Sequence, residues 1–169
     1  RDPAGALRDA DFGGWLAPFV MGPINSRVVR RSAALLADSG LYAPTFRYQE
    51  YARMGRGAAG ALTATTVAVG MAAGRSALGF APLRRVAAHF MPAPGEGPSE
   101  QAMDRGSFRC ELIGVGTRGT VQRGRIAGRG DPGNRATTVF VCESALALAV
   151  DAKRLPGGTR LGGVLTPAV

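Results

Sequence analysis

From Gly57 to Gly74 the chain runs for 18 residues without a charged side chain. An uncharged run of that length reads either as a helix packed in a protein core or as a short membrane span. Ala, Gly and Thr dominate it, with Leu62, Val67, Val69 and Met71 as the larger apolar residues. Ala and Gly supply little of the transfer energy that carries a helix into lipid. The run therefore predicts a closely packed, internally buried helix, no transmembrane segment and a cytoplasmic protein.

The 169 residues suit one ordinary domain with one core. Apolar residues at 46% and charged residues at 20% sit near globular averages, which excludes wholesale disorder and collagen-like or disulfide-scaffold chains. The net charge of +9 comes almost entirely from Arg, Lys occurring only at Lys153. The arginines are scattered from Arg1 to Arg160, paired only at Arg30-Arg31 and Arg84-Arg85. Without a basic run, nucleic acid is not the expected partner, and phosphorylated small molecules or an acidic carrier protein fit better. Cys110 and Cys142 read as buried small hydrophobes, and with His89 the sole histidine the expectation is no metal.

Along the chain, residues 1–22 read as a connector and residues 23–155 as an α+β domain. Residues 156–169 read as a Gly/Pro-rich tail. Within the domain, Ile24, Val28 and Leu35 space a helix over 23–37, with Pro23 tolerated in its first turn. Alternation predicts a strand over 46–53 that puts Phe46, Tyr48 and Glu50 on one face. A short amphipathic helix comes next over 80–91, then a rigid loop through Glu96, a hairpin of 108–115 with 120–127, and a helix over 132–152. The fold class implied is α+β, a small, mostly antiparallel sheet with helices packed on one face.

Gly114-Val-Gly116-Thr-Arg-Gly119 matches a dinucleotide-binding pattern, but the residues after it, 120–127, read as a return strand and not a helix. A hairpin turn is the better assignment. Asp131-Pro132 has the form of a helix cap followed by proline, and Arg129, Gly133 and Arg135 around it make an anion site conceivable beside plain capping. Asn25, Arg27, Arg30 and Arg31 share the first helix, where Arg27 faces with Arg30 or Arg31. Tyr48 and Glu50 supply a proton donor and an orienting carboxylate, with Arg30 as the third candidate for catalysis. Asn25, Arg27, Arg31, Glu96, Arg129, Asp131, Gly133 and Arg135 are the candidates for substrate or anion binding.

Six blocks carry a family resemblance in order: Asn25-Ser-Arg-Val-Val-Arg-Arg-Ser, Phe46-Arg-Tyr-Gln-Glu, Pro94-Gly-Glu-Gly-Pro-Ser-Glu, Gly130-Asp-Pro-Gly, Glu143-Ser-Ala-Leu-Ala-Leu-Ala, and Gly162-Gly-Val-Leu-Thr-Pro-Ala. Together they resemble the carboxy-terminal part of the saccharopine dehydrogenase-like oxidoreductases, with the trans-acting enoyl reductases as the nearest look. Asn134 departs from the family pattern, which has Tyr there. The resemblance implies an NAD(P)-dependent oxidoreductase whose Rossmann domain lies upstream and binds NAD(P)H. This chain would be its substrate-side and oligomerising domain, inactive alone, facing an acyl substrate on a carrier protein. The reading from a different class is a non-catalytic platform for an acidic or acyl-bearing partner.

Overall fold

The chain first reverses between Leu7–Asp9 (β1) and Gly14–Pro18 (β2), an antiparallel pair. Asp9 Oδ1 accepts the Phe12 N–H at 2.9 Å, and Gly13 closes the turn at φ +63°, a backbone region that costs glycine nothing. The expected connector is thus part of the core: Leu16 and Ala17 on β2 are 2% and 0% exposed. Their apolar cluster with Trp15 is what drives the segment into the sheet. The computed structural model describes residues 2–90, 93, 95–155 and 163–169. They group into two compact units, residues 1–91 and 92–169, where the sequence suggested one unit over 23–155.

In the first unit Gly22–Leu35 (α1) matches the predicted helix within two residues, Pro23 lying in its first turn. A 3-10 turn over Ala37–Ser39 and Gly40 at φ +73° end it. The strand expected over 46–53 is displaced: Tyr51–Gly55 (β3) pairs with β2, and 46–50 approach the sheet outside it. The order is β1-β2-β3, antiparallel throughout, with a bulge opposite Trp15 and Leu16.

Gly57–Gly79 (α2) spans 23 residues, about 35 Å. It lies on β2 and β3 through a stripe of Gly60, Ala64 and Ala68 at four-residue spacing. A Cβ on Gly60 would stand 2.7 Å from the Gly55 carbonyl, so the approach of helix to strand requires glycine there. This stripe is the buried part, 17% of the apolar stretch, which corrects the expectation of an interior helix. Small residues permit one close contact, but they do not surround a helix with partners. Phe80 is extended and turns the chain into Ala81–His89 (α3).

The second unit opens with Glu100–Arg105 (α4), a six-residue helix too short to leave a periodic signal, whose Ala102 N–H donates to Ser99 Oγ. Ser107–Val115 (β4) and Val121–Arg129 (β5) then form the predicted hairpin in unbroken register. Gly119 at φ +79° makes its turn. Arg135–Val150 (α5) starts three residues later than predicted, leaving Pro132 in a turn. Phe108 and Phe140 meet edge to face at 6.2 Å, joining hairpin to helix. Cys110 and Cys142 are exposed thiols, not buried hydrophobes, because the elements bearing them have one covered face at most. The tail expected over 156–169 falls partly on 156–162, outside the described residues.

Candidate functional site

Two donors from different parts of the first unit converge on one carboxylate. Tyr48 and Glu50 lie just ahead of β3, outside the strand expected to align them, and Tyr48 Oη donates to Glu50 Oε1 at 2.6 Å. From α1, Asn25 Nδ2 donates to Glu50 Oε2 at 2.9 Å. Each carboxylate oxygen therefore has its own donor, and all three side chains are half-buried. Asn25 is in reach because Gly22 and Ser26, one turn apart on α1, are both buried; a Cβ on Gly22 would stand 3.6 Å from Glu50.

Arg30 is close by but differently engaged. Its guanidinium donates to Asp2 Oδ1 at 2.7 Å and to the Tyr48 backbone carbonyl at 3.4 Å. It braces the segment that carries Tyr48 while its charge is matched by Asp2. Arg27 and Arg31 project from the exposed side of α1. Ser26 is fully buried, and its hydroxyl has no hydrogen-bond partner among the described residues.

The other candidates lie in the second unit. Asp131 is not the N-cap expected from Asp131-Pro132, since α5 begins at Arg135 and Asn134 precedes it; its carboxylate instead reaches over the intervening turn, Oδ2 accepting the Asn134 N–H at 2.9 Å and Oδ1 the Arg135 N–H at 3.1 Å. The Arg135 amide does most to hold the Asp131 carboxyl below the usual carboxylate range, with the Asn134 side chain, 3.1 Å away, adding to it. The Arg135 guanidinium donates to Asp104 Oδ1 at 2.7 Å and Glu100 Oε2 at 3.1 Å, which raises its pKa further. Two carboxylates already occupy the arginine that the anion site needed. Gly133 sits against the Asp131 carboxylate, and Arg129 ends β5 opposite Ser107. Glu96 closes its own turn, accepting the Ala93 N–H at 2.9 Å.

The sequence reading missed three contributors: Asp2, Glu100 and Asp104. It also missed a cavity of about 570 Å³ in the first unit, lined by Arg8, Asp9, Trp15, Arg56 and Gly57 among others. Arg56 Nε there donates to the Gly13 carbonyl at 3.0 Å. Tyr51 Oη donates to Gln49 Oε1, and burial, then the Asp9 charge, pushes its pKa up.

Gly114, Gly116 and Gly119 form the β4–β5 connection, where Gly116 N–H donates to the Thr120 carbonyl at 2.8 Å. A dinucleotide needs a strand, a Gly-rich turn and a helix amino terminus in succession. A hairpin offers no such helix end, so these residues do not fit a nicotinamide cofactor. Among the described residues no three His, Cys, Asp or Glu side chains gather as a metal site.

The class so defined is an α+β protein of small antiparallel sheets, carrying a held carboxylate and tyrosine and no dinucleotide turn at its Gly-rich hairpin. The chain is 40% identical over 160 residues to the trans-acting enoyl reductase of Mycobacterium ulcerans, covering 92% of the chain and 37% of that protein. It is 38% identical over 172 residues to the trans-acting enoyl reductases of Mycobacterium bovis and Mycobacterium tuberculosis, covering 99% of the chain and 40% of each. The chain thus spans about two-fifths of the length of the curated relatives it matches. No protein-family model and no solved structure matches it.

Proposed function

We propose that this chain is the substrate-side portion of a cytoplasmic, NAD(P)-dependent trans-acting enoyl reductase of the saccharopine dehydrogenase-like group, acting on an acyl thioester borne by a carrier protein. The observation that carries the reading is the similarity of nearly the whole chain to enoyl reductases. Reduction of an enoyl thioester adds hydride at one carbon and a proton at the other; the hydride is the part a nicotinamide cofactor supplies. The proton is the part this chain's residues can supply.

Tyr48 is the proton donor in this reading. For that its O–H, donated to Glu50 here, would turn to the substrate α-carbon, and the phenolate left after the transfer would take a proton back from water. Glu50 is a positioning residue that holds the phenol through Oε1, and Asn25 fixes the carboxylate through Oε2. Holding a donor in one orientation is what general acid catalysis demands, typically contributing about 10²–10⁴-fold.

The test uses the product of the complete reading frame around this chain, given an enoyl thioester with NADH or NADPH. Cofactor oxidation that requires the enoyl group, together with no binding of either cofactor by residues 1–169 alone in titration calorimetry, is the expected result. Micromolar cofactor binding by the isolated chain, or no thioester-dependent oxidation by the longer protein, would overturn the reading.

A further inference from the structure

Two adjoining cavities in the first unit share Arg8, Trp15 and Gly57. The larger, about 570 Å³, has the size of a small-molecule site, and the smaller, about 280 Å³, continues it along Ala58 and Ala61 of α2. The start of α2 leaves this room, because Gly57, Ala58 and Ala61 bring no more than a methyl group each.

Strand register decides which charges face it. Arg8 stands directly opposite Trp15 in the β1–β2 pair, so their side chains share one face of the sheet. That face looks toward α2, since a Cβ on Gly60 would stand 3.4 Å from Cδ1 of the Trp15 ring. Asp9, also on the wall of the larger cavity, alternates away from Arg8 along β1, and its Oδ1 accepts the Phe12 N–H. Arg56 enters from the end of β3: its Nε donates to the Gly13 carbonyl at 3.0 Å, and a Cβ on Gly13 would stand 3.6 Å from its Nη2. Among the described residues neither Arg8 nor Arg56 has a carboxylate partner, and Arg8 has no hydrogen-bond partner. The wall thus carries two guanidinium groups with unmatched charge beside a half-buried indole.

We propose that this cavity binds an organic phosphate ester, its phosphate taken by Arg8 and Arg56 and its organic part lying against Trp15. A guanidinium fork matches phosphate oxygens in pairs, and the indole offers apolar surface next to it. The site is separate from the proton donor: Tyr48 and Glu50 precede β3, whereas Arg56 and Gly57 follow it. Two sources carry such an ester, a dinucleotide and the phosphate-bearing arm of a thioester carrier, and the chemistry that recognises them is the same.

Trp15 is the only tryptophan of the chain, so its fluorescence reads the site directly. Phenyl phosphate should change the emission saturably, and glycerol 3-phosphate, lacking the apolar ring, should bind about tenfold more weakly. Benzoate, with a carboxylate in place of the phosphate, should also bind more weakly. Arg8→Gln should weaken phenyl phosphate about tenfold, and high salt should weaken it in the parent. The variant should keep the parent's circular dichroism, Arg8 being exposed and unpartnered. Titration calorimetry on the product of the complete reading frame should show the same loss with Arg8→Gln. Coenzyme A should bind residues 1–169 and NADP+ should not; the reverse order would keep the phosphate site and overturn the reading under Proposed function instead. No saturable change with any phosphate ester, affinity unaltered by Arg8→Gln, or benzoate binding as tightly as phenyl phosphate would each overturn the proposal.

Discussion

The two units of this chain are built from similar material and use it differently. The first buries Leu16, Ala17, Ala64 and Ala68 behind a three-stranded sheet, and it aligns Asn25, Tyr48 and Glu50 on one carboxylate. The second buries Ala136 and leaves Val139, Val141, Leu146 and Leu148 of α5 exposed beside a two-stranded hairpin. A two-stranded sheet offers one helix a single narrow contact, so an apolar helix on it stays largely bare. The difference teaches that the first unit holds its side chains in place by packing, while the second relies on caps and ion pairs at helix ends.

Truncation should separate the units most strongly. Leu16→Ala should cost about 2–5 kcal/mol, the range for a buried leucine, whereas Leu148→Ala should stay within about 0.5 kcal/mol. Chemical denaturation of the two variants checks this, and equal losses would break the comparison. Gly60→Ala comes next. Its Cβ would meet the Gly55 carbonyl at 2.7 Å, and pushing helix from strand should cost about 1–3 kcal/mol, visible as a lower Tm of the first unit.

The second unit should respond to acid instead. Asp131 has a folded pKa below its unfolded value of about 3.9, because it accepts the Arg135 and Asn134 amides. Its contribution is present above the unfolded pKa and is lost as pH falls through the lowered folded one. Thermal melts between neutral pH and pH 3 should show the second unit weakening at the acid end, and Asp131→Asn should flatten that dependence. The smallest change is expected at Ser26, whose buried hydroxyl lacks a partner among the described residues. Ser26→Ala should be neutral or stabilise by up to about 1 kcal/mol; a clear loss in denaturation would reveal a hidden hydrogen bond.

How much of the molecule was legible in the sequence depends on range. The β4–β5 hairpin and α1 rest on local pattern and turn chemistry, and they lie where that pattern puts them. Tyr48 and Glu50 were readable as a pair from their two-residue spacing, although the strand invoked to align them begins only at Tyr51. The partner Asn25, 25 positions away, carried no local sign of that pairing. Arg135 misled for the same reason: its carboxylates sit on α4, 31 and 35 positions earlier, on a helix too short for a periodic signal. The interior placement of α2 failed because composition states how closely a helix can be approached and not what approaches it. Leu7 to Pro18 show the reverse case, where an apolar cluster amid glycine looked like a connector and supplies the central strand.

The central claim is that Tyr48 and Glu50 act as one unit in proton delivery. A double-mutant cycle on the product of the complete reading frame, with Tyr48→Phe, Glu50→Gln and both together, tests it by the kcat for reduction of an enoyl thioester. Each single substitution should lower kcat by about 10²-fold, and the double should lose little more than the worse single, since removing either member already disables the pair. Unchanged kcat in Tyr48→Phe, or losses that multiply in the double variant, would contradict the account.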